Sequence, residues 1–283
     1  MLPAMLPRQP VLDPAAAYPR IAALRTALDS GDWPACREIL DAAEPVERTC
    51  LTTVAADADG VADFLRGVLR GDPADGAAGA LLGRNLGGTP EAERILVDAA
   101  ARSPYDPAIW TARVGTARSL GLGASEARRR YRRLAAIDPH HLPGQSAFLH
   151  HLCAHDAGAA HAFARTAAAE AAPGSLNPVL IAEYHLDRHL TGDRRHLAAE
   201  EVRAEIAGAA DRSVRHPEFR RTHGWVQATS TFAMAFALID DQTAAASLFA
   251  SLGDFDSAWP WERLGDPATV ISRYRKRASG GER

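Results

Sequence analysis

The chain has 283 residues and a formal net charge of −3; 47% of its residues are hydrophobic, but only 6% are aromatic. The slightly negative charge argues against nucleic acid as the main partner, and no apolar run approaches the roughly 20 residues that span a bilayer. We therefore expect a folded protein with neither a nucleic-acid partner nor a membrane partner.

The N-terminal residues 1–19 contain five prolines before any periodic segment begins, and no apolar run of signal-peptide length. This composition predicts a flexible, Pro-rich arm. The three cysteines are Cys36, Cys50 and Cys153, and none belongs to a CxxC pair. Such sparse cysteines indicate reduced thiols, so we expect a cytoplasmic protein.

Apolar residues recur at helical spacing along nearly the whole chain, whereas no segment alternates with a period of two. Four helix starts carry a capping residue followed by proline: Thr89-Pro90, Asp106-Pro107, Asn177-Pro178 and Asp266-Pro267. We therefore predict an all-α fold without a sheet, in which residues 20–87 form an N-terminal helical section.

The segment from Pro104 to Pro139 resembles the tetratricopeptide pattern, with Trp110 six residues after the first proline. Its second half supplies Tyr131 and Leu134, which we expect to be buried between consecutive units. In the following unit Gln145 replaces the tryptophan. We interpret residues 88–211 as a core of degenerate repeats and predict stacked helical hairpins in a TPR-like α-solenoid.

Four histidines share the repeat period, because the pair His151 and His155 recurs 34 residues later as His185 and His189. Within each pair the imidazoles are i,i+4 neighbours on one helix face. We expect His151 and His185 to occupy equivalent places on adjacent helices, about 8 to 10 Å apart. Packing at a helix–helix seam is the favoured interpretation; metal binding and a pH-sensitive or ligand-binding groove are the alternatives.

The same register places other side chains on the concave face of the array, where tetratricopeptide proteins usually hold an extended peptide or a helix. These groove candidates are His150, Cys153, Tyr184 and Asp187. A shift of one residue would place His151 and His185 in the groove instead.

Two further segments have a structural interpretation. Arginines are dense between Arg128 and Arg133, and we expect them to form a solvated outer face of a helix. Residues 212–283 contain Trp225, Phe232 and Phe236 in nearly apolar surroundings, which predicts a C-terminal helical cap and tail over the last hydrophobic face.

Residues 90–276 show a wider resemblance. The order of DPxxW, RYRRLAAIDPHHLPG, FARTAAAEAAPGS and LGDFDSAWPW is similar to that of an uncharacterised family of bacterial tetratricopeptide-like proteins. This resemblance implies a helical-repeat fold. It implies no activity, because none is established for that family.

Two hypotheses of function follow. The first is a module that binds a protein or peptide partner in its concave face. The second is an enzyme or a metal- or ligand-binding protein that uses the histidines together with Tyr184 and Asp187. No motif names a cofactor, so we expect none. The sequence leaves the metal, the partner, any catalytic residue and the oligomeric state open.

Overall fold

The computed structural model describes residues 9–280, and helices dominate this part of the chain. The described residues form no β-strand; one isolated bridge pairs Val11 with Phe255. The prediction of an all-α fold is therefore confirmed. None of the described helices is both long enough and apolar enough to cross a membrane.

Helix starts follow the capping residues that the sequence indicates. The side chains of Thr89, Asp106 and Asp266 each accept a hydrogen bond from a backbone N–H in the first turn, and a proline stands at the start of each helix. At Asn177-Pro178 the helix begins one residue later than predicted, at Val179, with Pro178 at the N-cap.

The helices divide into two compact units. The N-terminal unit comprises residues 18–160, and the C-terminal unit comprises residues 9–17 together with 161–280. The division falls inside the predicted repeat core, residues 88–211, so that segment does not form one compact unit by itself.

Nine helices lie in the N-terminal unit as described. They are α1 (Pro19–Asp29), α2 (Trp33–Asp41), α3 (Pro45–Ala56), α4 (Val61–Gly71), α5 (Gly76–Asn85), α6 (Pro90–Arg102), α7 (Pro107–Ser119), α8 (Ala124–Ala135) and α9 (Leu142–His155). Helix α10 (Ala157–Glu170) contains the division between the units.

Alternate helices of the N-terminal unit pack in series: α1 on α3, α3 on α5, α5 on α7 and α7 on α9. Helix α3 also contacts α7 and α9. In a simple solenoid each repeat contacts only its neighbours, so α3 departs from that pattern.

Trp110 and Gln145 make equivalent hydrogen bonds in consecutive hairpins. Trp110 Nε1 donates to the carbonyl of Pro104 at 2.8 Å, and Gln145 Nε2 donates to the carbonyl of Pro139 at 2.9 Å. Both bonds reach back six residues. The amide of Gln145 therefore makes the same backward bond as Trp110, the residue whose position it takes in the following unit.

Tyr131 and Leu134 differ in their burial. Leu134 is fully buried in the cluster that also contains Leu96, Ile109 and Trp110. Tyr131 is only half-buried, and its ring stacks on Phe148 with centroids 4.5 Å apart. The expected burial is thus correct for Leu134 and too strong for Tyr131.

Arg130 corrects the prediction of a solvated arginine face. Its neighbours Arg128, Arg129, Arg132 and Arg133 are exposed, but Arg130 is only 2% exposed. Its guanidinium bonds Glu93 at 2.6 Å, Glu126 at 2.7 Å and the carbonyl of Arg113 at 2.7 Å. The helix turns this one arginine toward α6 and α7, where Glu93 compensates its charge.

The described part of the C-terminal unit contains six further α-helices besides its part of α10. The α-helices are α11 (Val179–Thr191), α12 (Glu200–Arg212), α13 (Trp225–Ile239), α14 (Gln242–Leu252), α15 (Ala258–Trp261) and α16 (Pro267–Ala278). Short 3₁₀ helices span Pro14–Ala16, His196–Ala198 and Glu262–Leu264.

The predicted flexible arm lies partly outside the described residues, but residues 9–17 are held in the C-terminal unit. The amide of Val11 donates to the carbonyl of Asp254 at 2.8 Å, and the amide of Asp256 donates to the carbonyl of Val11 at 3.0 Å. Within the described residues, this part of the arm is therefore held by backbone hydrogen bonds to residues 254 and 256.

The apolar C-terminal segment is buried as the sequence indicates, with Trp225, Phe232 and Phe236 at most 4% exposed. Ser230 of α13 takes part in a hydrogen-bond network. The indole of Trp261 donates to Ser230, and Ser230 donates to Asp256. Arg275 bonds the other oxygen of Asp256 at 2.9 Å. These residues provide the core of the C-terminal unit, which is a larger role than capping.

Candidate functional site

The four histidines of the sequence pattern belong to two units. His151 and His155 lie on α9 in the N-terminal unit, whereas His185 and His189 lie on α11 in the C-terminal unit. The expected spacing between His151 and His185 stays a prediction.

His151 is buried, yet neither of its ring nitrogens has a hydrogen-bond partner among the described residues. Burial lowers the pKa of His151, and the charges of His155 and Arg118 lower it further. A packed imidazole normally bonds backbone or a carboxylate, and among the described residues His151 does neither. His155 is exposed, while His150 and Cys153 are half-buried.

On α11, the groove candidate Asp187 is paired with Arg263, whose Nη1 lies 3.2 Å from Asp187 Oδ1. Asp187 is therefore not the carboxylate that accompanies the histidines. His189 is half-buried, and burial, followed by the charge of Arg194, lowers its pKa.

His185 instead meets His161 and Glu205. His161 Nε2 lies 2.8 Å from Glu205 Oε2, and His185 Nε2 lies 2.9 Å from the same oxygen. The three candidate ligand atoms all lie within 4.8 Å of one another. Two imidazoles and one carboxylate thus converge on one point in the C-terminal unit; we call these three residues the His₂Glu cluster.

Three helices supply the cluster. His161 lies in the Ala-rich helix α10, His185 in α11 and Glu205 in α12, whose first turn carries two glutamates that favour helix formation there. The three side chains thus come from separate helices, of which α11 packs directly against α12.

Two rings surround the cluster. Tyr184, which is 7% exposed, stacks on His161 with centroids 4.7 Å apart and planes 7° apart. His196, in the 3₁₀ turn after α11, places its Nε2 2.8 Å from His185 Nδ1. The stacking and this hydrogen bond restrict the orientations of the two cluster imidazoles.

Burial sets the protonation of the cluster. It lowers the pKa of His185 from the ordinary 6.5 to about 4, although Glu205 acts in the opposite direction. Burial alone would raise the pKa of Glu205, but hydrogen bonds from His161 and His185 bring it below its ordinary value. At neutral pH the cluster therefore contains a neutral His185 and an ionised Glu205.

A chain of hydrogen bonds follows from these charges. Neutral His185 donates from Nε2 to Glu205, so its Nδ1 accepts from the Nε2–H of His196. Burial, followed by the charge of Arg188, also lowers the pKa of His196. Along the series Glu205, His185 and His196, each nitrogen in a hydrogen bond is therefore defined as a donor or an acceptor.

Sequence reasoning identified Tyr184 and His185 but missed His161, His196 and Glu205. No spacing rule links these three residues, because they lie on different elements. The one available signal was the single imidazole of His161 within an otherwise Ala-rich segment.

A second arrangement has the side-chain types of a catalytic triad but not its accessibility. His141 Nε2 lies 3.0 Å from Thr49 Oγ1, and His141 Nδ1 lies 3.4 Å from Asp138 Oδ2. Thr49 and His141 are both buried, and Thr49 also donates to the carbonyl of Pro45. A substrate could not reach this hydroxyl, so the arrangement is part of the core.

Comparison with known proteins adds no assignment: no family model matches the chain, and no curated protein is significantly similar to it. Function must therefore be argued from the residues themselves.

Proposed function

We propose that the C-terminal unit binds a divalent transition-metal ion through His161, His185 and Glu205. The observation that carries the proposal is the convergence of two imidazole nitrogens and a carboxylate oxygen within 4.8 Å. Imidazole nitrogen combined with one carboxylate is a ligand set typical of Zn²⁺ and of non-haem Fe²⁺ sites.

The distances between the ligand atoms fit a site whose side chains approach one another by hydrogen bonding when no metal is bound. Tetrahedral ligands at about 2.1 Å from Zn²⁺ are separated by about 3.4 Å. The observed separations of 2.8 and 2.9 Å are about half an ångström shorter. Entry of an ion therefore requires a small outward movement of the ligand atoms; His161, with a side chain 31% exposed, is less enclosed than His185, which is 2% exposed.

The protonation states also suit a metal. Metals bind neutral imidazole and ionised carboxylate, and His185 and Glu205 are in those forms at neutral pH. When an ion replaces the proton on His185 Nε2, the ring carries its proton on Nδ1 and donates it to His196. Such a second hydrogen bond orients metal-ligating histidines in proteins generally.

Three protein ligands leave at least one coordination position for water or a small ligand, as in catalytic zinc sites. The side chains of His161 and Glu205 are 31% and 24% exposed, so solvent has access to the cluster. These features favour an exchangeable position over a closed structural site.

The alternative is a packing cluster in which the two imidazoles serve only to satisfy Glu205. It shares the same hydrogen bonds and differs in one respect: it holds no ion. Metal affinity therefore separates the two interpretations.

A helical-repeat module is the second candidate. The equivalent hydrogen bonds of Trp110 and Gln145 and the serial packing of α1, α3, α5, α7 and α9 favour a repeat origin for the N-terminal unit. A TPR-like solenoid and a peptide partner in its concave face stay predictions, as do membership of the tetratricopeptide-like family and a cytoplasmic location.

The test is a titration of tag-free, chelator-stripped protein with Zn²⁺ against a chromophoric chelator. We expect one equivalent to bind, and we expect Glu205→Gln and His161→Ala to weaken it by at least about 100-fold, since even outer-shell changes cost 10- to 100-fold. Glu200→Gln is the matched control, because Glu200 is exposed on the same helix. Equal affinities in Glu205→Gln and Glu200→Gln would overturn the proposal.

A further inference from the structure

A second candidate site lies in the N-terminal unit, at the C-terminal ends of α5 and α7. The residues at these two helix ends help to line a cavity of about 480 Å³. Its polar side chains include Arg84, Arg118 and His150, and no carboxylate lines it. A volume of this size lies within the range of small-molecule sites.

The two arginines have no carboxylate partner within ion-pair distance in the described part of the chain. Arg113 and Arg130, by contrast, are paired with Glu93. A simpler explanation is that Arg84 and Arg118 interact with helix dipoles, since each lies in the last turn of its helix. Two helix ends contribute only about −0.5 charge each, which leaves about one net positive charge at the cavity.

Glycine residues, which have no side chain, leave space in the cavity. Gly115 lines the cavity in the middle of α7, and a Cβ added there would meet no atom within 4 Å. Glycine in a helix interior costs about 1 kcal/mol relative to alanine. The open space at Gly115 shows that close packing does not require this glycine.

From these observations we propose that the cavity binds a small molecule bearing a phosphate group, with Arg84 and Arg118 as its charge partners. Guanidinium groups match phosphate oxygens in geometry and charge, and arginine forms such bonds in bidentate fashion. The cavity is larger than a phosphate ion, so a phosphate ester or a diphosphate fits the proposal better than the free ion.

Isothermal titration calorimetry of the metal-free protein with pyrophosphate, at fixed ionic strength, tests this proposal. We expect millimolar or tighter binding and at least about tenfold weaker binding in the double variant Arg84→Gln, Arg118→Gln. The matched control is Arg128→Gln, Arg132→Gln, which removes the same charge from exposed positions that do not line the cavity.

A steric variant tests the same cavity without changing its charge. Gly115→Met should fill the space and abolish pyrophosphate binding while the thermal melt shows a folded protein. Absence of binding to the wild type, equal loss in both double variants, or full binding to folded Gly115→Met would each overturn the proposal. None of these results bears on Zn²⁺ binding, which involves only residues of the C-terminal unit.

Discussion

His185 Nε2 lies 2.9 Å from Glu205 Oε2, and this contact joins a buried imidazole of α11 to a half-buried carboxylate of α12. His185 is neutral at physiological pH, so it compensates the carboxylate by a hydrogen bond and not as a cation; the exposed Arg165 lies 3.5 Å from the other oxygen, Glu205 Oε1. The contact therefore links the stability of the C-terminal unit to pH.

The metal-free protein should lose stability as the pH falls from 6.5 to 4. The folded-state pKa of His185 is about 4, whereas the ordinary value is 6.5, so the unfolded chain binds more protons in this window. The free energy of unfolding should drop by up to roughly 3 kcal/mol across it. Urea titrations at several pH values should show a shallower dependence in His185→Gln, and identical dependences would contradict this origin.

Arg130→Ala should destabilise the N-terminal unit by about 3 to 5 kcal/mol, because it leaves Glu93 without the nearest of its cationic partners. Arg129→Ala is the matched control: its side chain is 54% exposed and bonds only Glu126 at short range. We expect that variant to change the free energy of unfolding by less than about 0.5 kcal/mol. Similar losses in chemical denaturation would show that Arg130 is not buried.

Leu134→Ala should cost about 3 kcal/mol, since Leu134 is fully buried and truncation leaves a cavity. Tyr131→Ala should cost less, because Tyr131 is half-buried and its main described contact is the stack on Phe148. Thermal or chemical unfolding of the two variants gives this ranking directly. A larger loss for Tyr131→Ala would mean that the ring, not Leu134, holds α8 in place.

Local signals in the sequence were sufficient for the helices. Capping at Thr89, Asp106 and Asp266 depends on residues within one turn, so the helix starts could be predicted and are confirmed. The 35-residue step from Trp110 to Gln145 also has a structural counterpart in their equivalent hydrogen bonds.

The candidate site could be predicted only in part, because its residues meet through packing between helices. His185 stood out through its repeat, but Glu205 and His161 carry no pattern that connects them with it. Arg130 was misjudged for the same reason: its burial depends on Glu93, 37 residues away in the chain.

The most direct measurement of metal binding by the His₂Glu cluster is zinc K-edge X-ray absorption spectroscopy on the tag-free protein loaded with one equivalent of Zn²⁺. We predict two imidazole ligands and oxygen ligands at about 2.0 to 2.2 Å, with one imidazole lost in His161→Ala. A spectrum without imidazole scattering, or one that is unchanged in His161→Ala, would contradict metal binding by His161, His185 and Glu205.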